Sequence, residues 1–271
     1  MRSASVGERQ YIIRSMYVRL AGGALLLLTM TLATACHNPF GREYEYEEQL
    51  YLGIDGSGSI VIDSSIPALV SLHGLALDPS PRSRFDPLVV RQLFERAGCD
   101  VVRVGSPWYR QTRRFVQVRL GVKNVRELQR CGPLAWSTYR FEPEGTVLHY
   151  LQIVGPSAGG NAGSVNWTGG ELVAFKLHLP SKVTYHNVRR LEDDSPGEIE
   201  RGNILTWEQR LTDRQAGTPV NIEVRMEPQS ILYRTLWLFV GSFLAAVVTL
   251  MIVIAWIVRH GRRRFARHAG A

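Results

Sequence analysis

Residues 220–258 read VNIEVRMEPQSILYRTLWLFVGSFLAAVVTLMIVIAWIV, and two periods follow one another in them. Val220, Ile222, Val224 and Met226 alternate with Asn221, Glu223, Arg225 and Glu227, the period of a strand with one wet face. From Thr235 to Val258 the chain then carries no charge across 24 positions. A bilayer core of about 30 Å needs about 20 apolar residues of helix, so this run is long enough to span with some tilt. Trp237 and Trp256 stand near its ends, where indole rings favour the headgroup boundary. Arg259, Arg262, Arg263, Arg264 and Arg267 follow it, against Arg234 just before it. The bias of basic residues predicts a basic cytoplasmic tail at 259–271, a membrane helix within 230–258, and everything upstream outside the cytoplasm.

The N-terminus predicts the same topology from independent residues. Residues 1–35 read as a secretory signal, with Met16 a more usual start: Arg19 in a short basic region, an apolar run from Leu20, and small residues before Cys36. The ending Leu32-Ala33-Thr34-Ala35-Cys36 resembles the bacterial lipobox, which implies a lipidated Cys36 as the mature N-terminus. An ordinary cleaved signal and an uncleaved anchor are the alternatives, and all three place residue 37 onward outside.

Charge excludes one class of partner. The formal net charge is +8, but residues 1–35 hold four Arg and one Glu and the tail beyond Val258 holds five Arg, so the rest is neutral. A nucleic-acid surface would put the basic excess on the domain itself, and none is expected. With Cys36 assigned to the lipobox, Cys99 and Cys131 remain, either bridged in an oxidising compartment or both buried as free thiols. No metal-ligand spacing occurs and no cofactor is expected.

Along residues 36–229 the pattern predicts an α+β domain: an antiparallel sheet with two or three helices on one face and a β-rich second half. Tyr44, Tyr46, Leu50, Leu52 and Ile54 share one strand face opposite Glu43, Glu45, Glu47 and Gln49, and Gly56-Ser57-Gly58 turns into Ser59–Asp63. Ser64 or Ser65 caps one helix, Pro87–Ala97 forms a second, and Asn124 with Glu127 begins a third. A hairpin joins Asp100–Val104 to Arg114–Val122, with Trp108 and Tyr109 in its turn. Residues 156–170, PSAGGNAGSVNWTGG, mark a subdivision point.

The segment LHLPSKVTYHNVRR…ERGNILTWEQ resembles the LppM-type domain of bacterial envelope lipoproteins through Leu179, Pro180, Val183, Asn187, Gly202, Asn203, Leu205 and Trp207. That resemblance implies an α+β domain displayed at the cell envelope, proposed for the family to bind lipid or glycolipid. It carries no ligand residues over to this chain.

Two stretches invite chemistry. Asp55-Gly-Ser-Gly-Ser59 has the letters of a D-x-S-x-S magnesium site, but its strand context is that of a hairpin turn, which is the reading preferred. Residues 96–130 carry nine basic and two acidic side chains. Arg103, Trp108, Arg110, Arg113, Arg114 and Arg119 are the candidate contacts to phosphorylated headgroups, set against the plain alternative of a solvated strand and helix. G-x-S-x-G, Walker A and paired-carboxylate motifs are missing from the sequence, so a non-enzymatic module is expected. Its expected partner is envelope lipid or glycolipid. A scaffold recruiting a membrane protein through Gly241-Ser242 and Ala245-Ala246 is the second reading, and a cryptic hydrolase the remote third.

Overall fold

The computed structural model describes residues 42–160, 162–163 and 165–268. The signal segment and Cys36 lie outside the described residues.

The chain is α+β, as its two periods imply. β1 (Tyr44–Leu52) turns through Gly53–Ser57 into β2 (Gly58–Ser65), where Asp55 Oδ1 accepts from the Ser57 backbone and hydroxyl at 3.0 and 2.7 Å. This is an Asx-type turn. Among the described residues no three His, Cys, Asp or Glu side chains are grouped to hold a metal ion. Ser65 caps α1 (Ile66–His73) by accepting from Ala68 N at 3.1 Å, and Asp86 caps α2 (Pro87–Arg96), each with proline in the first turn. The third expected helix is a 3-10 turn, Val125–Arg130, started by Asn124.

The strands divide between two sheets that share one core. The larger runs β10 (Ile204–Arg210), β8 (Leu172–His178), β1, β2, β5 (Arg113–Val122) and β3 (Val101–Val104), with β4 (Trp108–Arg110) also on β5. The smaller runs β6 (Ser137–Glu144), β7 (Val147–Val154), β11 (Val220–Ser230) and β9 (Ser181–His186). The pairing of β1 with β8 is parallel, an exception in otherwise antiparallel sheets. Residues 156–170 therefore link β7 in one sheet to β8 in the other within a single body. Tyr46, Ile60, Ile62, Val116, Val118, Phe175 and Leu205 pack from the larger sheet onto Tyr150, Ile222, Val224 and Met226 of the smaller.

The residues that suggested the family resemblance clasp the two sheets. Leu179 and Pro180 carry the chain from β8 into β9, and Leu179 N bonds Asn203 O at 3.1 Å. Asn203 takes the left-handed conformation (φ +56°) after Gly202 and donates to Ser181 O. Asn187 accepts from Trp207 Nε1 and Glu223 N, both at 3.0 Å, and donates to Asn221 O. One amide thus ties β10 to β11. Asn187→Ala strips acceptors from two partly buried donors, so an urea titration should show a loss of about 1–3 kcal/mol.

β11 enters α4 (Ile231–His268) with no linker, and Ile231 N bonds Pro180 O at 3.1 Å. Thr235–Ile257 of α4 is long and apolar enough to cross a membrane and is not buried against the rest of the chain.

Candidate functional site

The basic stretch falls on one edge of the larger sheet, and it splits into buried and exposed members. Arg113 and Arg114 are both buried, which corrects the expectation that they face headgroups. The Arg113 guanidinium lies 2.8 Å from Glu45 Oε1 and 4.0 Å from Glu171, and also donates to Asn166 O and to Gln111 Oε1. Trp167 Nε1 completes the cover over Glu45 at 3.3 Å. Arg114 donates to Tyr109 OH, Ser83 Oγ and Pro81 O, which pins the proline loop against the hairpin. Burying a guanidinium is costly unless its donors are satisfied, and here the protein satisfies them. A cleft of about 330 Å³ lies above Arg113, walled by Pro67, Asp78, Pro81, Val165 and Asn166.

The exposed members form a row on the outer face. Arg103 and Arg119 stand directly opposite one another across the β3–β5 ladder, and neither has a carboxylate partner among the described residues. Like charges at such a cross-strand position repel, and an external anion relieves the repulsion. Four residues back along β5, about 13 Å away, Trp108 stacks on Phe115 at 5.7 Å. It remains 38% exposed. Arg110 lies over the same Phe115 ring at 4.1 Å and donates to Tyr44 O. Trp108 and Tyr109 belong to strand β4 and not to the turn; the turn is Gln111-Thr112, with φ of +47° and +65°. That is the primed geometry a two-residue hairpin needs, without the glycine or asparagine that announces it. Thr112→Gly should raise the unfolding free energy measured by urea titration by about 1 kcal/mol, because a β-branched residue is strained there.

Near the other end of the same sheet, Cys99 and Cys131 are joined by a disulfide, which with Asp100, Lys123, Glu127 and Arg130 lines a groove of about 270 Å³.

A second polar constellation lies inside, and the sequence reading passed over it. Glu48 projects from β1 into the core between Tyr46 and Leu50 and is 3% exposed. It accepts from Tyr46 OH at 3.0 Å and from Gln152 Nε2 at 3.3 Å, and Tyr150 OH in turn donates to Gln152. Among the described residues no cation neutralises it, and burial pushes its carboxyl up to about 7 despite those bonds. The same burial, with Glu48 nearby, raises the phenols of Tyr46, Tyr139 and Tyr150 well above their ordinary value. The signal was present: position 48 is inward in the strand's own alternation, and a carboxylate there breaks the apolar face.

No protein-family description matches the chain, and no curated protein does. Among solved structures, the chain is similar to the folded domain of LppM from Mycobacterium tuberculosis, determined by NMR. The likeness covers 70% of this chain and 94% of that one, at 12% identity and a TM-score of 0.35. It is a remote structural resemblance, and no residue's role is taken from it.

Proposed function

We propose that this chain is a non-enzymatic envelope module, tethered by α4, whose sheet edge meets phosphate-bearing lipid headgroups. The observation that carries the reading is the Arg103–Arg119 pair: two exposed guanidiniums opposed across a ladder, without acid partners among the described residues, in a row with Trp108. Arginine forks suit phosphate and an indole suits the interface.

The tethers support the geometry. α4 leaves from the Ser230 end of β11, beside the Pro180 crossing and hence beside the His178 end of β8. Tyr44 opens β1 at the opposite end of the larger sheet, next to Arg110. Seven residues separate Cys36 from Tyr44, and the eight Cα–Cα steps reach at most about 29 Å. β5 alone, with 10 residues, is about 33 Å long. A lipid on Cys36 and the α4 span in one bilayer would therefore lay the domain along the leaflet and bring the Trp108 tip down to it. The cytoplasmic placing of the C-terminus belongs to the same proposal and rests on the arginines after Val258.

Hydrogen exchange on the full chain in nanodiscs tests this. Replacing phosphatidylcholine with phosphatidylglycerol should slow the amides of residues 101–119, and the Arg103→Glu/Arg119→Glu double variant should abolish the slowing. Equal exchange in both bilayers would refute headgroup contact.

A further inference from the structure

Arg214, in α3 (Leu211–Gln215), has no exposed surface, yet only its Nη2 is bonded, to Gly155 O. Its Nε and Nη1 have no partner, and no carboxylate pairs with it among the described residues. The guanidinium lies over the Trp136 indole, 5.3 Å from the ring centre, and Trp136 Nε1 is a second buried donor without an acceptor. The His73 ring meets the same indole edge-on at 4.5 Å. One His73 nitrogen bonds the Pro133 carbonyl, and Nε2 is bare, which leaves it as an acceptor on a neutral ring. Buried polar atoms without partners are rare, and an uncompensated buried cation costs several kcal/mol. Here three such residues gather about one ring.

We propose that Arg214, Trp136 and His73 form a closed site for a phosphate-class oxyanion. The guanidinium supplies the counter-charge, the indole N–H a neutral donor, and His73 Nε2 an acceptor for a P–OH. The cover is the segment Gly155-Pro-Ser-Ala-Gly-Gly160, whose Ala158 and Gly160 N–H groups bond only the Leu72 and Ser71 carbonyls at the end of α1. Gly159 has a positive φ and open space around it, so the cover is thin. Swinging residues 156–160 away breaks those two backbone hydrogen bonds, while Gly155 stays held through its N–H to Trp136 O at 2.7 Å. This site is independent of the headgroup row on the outer face.

The test is thermal unfolding of the full chain in neutral detergent at constant ionic strength, with chloride exchanged for phosphate and, separately, with phosphatidylglycerol added. At a hundredfold excess over the dissociation constant, the midpoint should rise by about 5–10 °C. The rise should vanish in Arg214→Met and shrink in Trp136→Phe; should Arg214→Met fail to fold, Arg214→Lys and Trp136→Phe carry the comparison. A rise with free phosphate assigns the soluble ion, and a rise with the lipid alone assigns a headgroup. A wild-type midpoint that neither ligand moves, or one that the variants follow in parallel, overturns the site and leaves buried water as the partner of these atoms.

Discussion

Arg113→Ala is expected to destabilise the fold by about 3–5 kcal/mol, the largest effect of any single change considered. Glu45 and Arg113 face each other at 2.8 Å with side chains 3% and 7% exposed, so removing the cation strands a carboxylate beneath Trp167. Against a typical domain stability of about 5–15 kcal/mol, that is a large share. Replacing both charges, Glu45→Leu with Arg113→Met, should recover much of the loss, because a buried pair offsets little more than its own desolvation. Urea midpoints of the full chain in detergent check both. A surface headgroup contact at Arg113 would predict an unchanged midpoint, so this measurement also separates the exposed half of the basic stretch from its buried half.

The second large effect concerns pH. The Glu48 carboxyl is pushed from an ordinary 4.5 to about 7 in the fold. Between those values the folded state holds a proton that the unfolded chain has released, so stability falls as pH rises through this window. The fall amounts to about 3 kcal/mol at most. His73 acts in the opposite sense: burial pushes it from 6.5 down to about 3, so the unfolded chain gains a proton that the fold refuses, and stability falls as pH drops below 6.5. The two slopes oppose one another between about pH 4.5 and 6.5, giving a plateau with a loss on each side. Glu48→Gln should abolish the alkaline limb, raising stability at pH 8 by about 3 kcal/mol, and should turn the plateau into a continuous rise up to pH 6.5 set by His73. An alkaline limb that persists in the variant would assign it to another group.

How much of this was legible in the sequence depends on the range of the interaction. Local signals were sufficient for the Ser65 and Asp86 caps, the alternation of β11 and the apolar run of α4, because each lies within a few residues. The parallel pairing of β1 with β8 was not legible: the two are separated by more than a hundred residues, and their apolar faces would suit either direction. Nor was the division into two sheets, which depends on the crossing at Leu179-Pro180. Arg113 and Arg114 were read as wet because arginine usually is, and the acids and carbonyls that satisfy them come from residues 45, 81 and 166–171. The turn at Gln111-Thr112 lacks its usual residues, so Trp108 and Tyr109 were taken for the turn. Glu48 could have been found, since its parity alone put it inside. The sequence left the cysteines open between bridge and free thiols, and the structure joins them.

The most direct test of membrane contact is the fluorescence of Trp108. The full chain, with Trp237→Phe and Trp256→Phe to silence the span, would be placed in bilayers of phosphatidylglycerol brominated near the headgroup end of the acyl chains. Contact predicts quenching that disappears in Trp108→Phe and weakens when Arg103 and Arg119 become glutamate. Emission equal to that in unbrominated lipid would mean that this edge stands away from the membrane, and the headgroup function would be wrong.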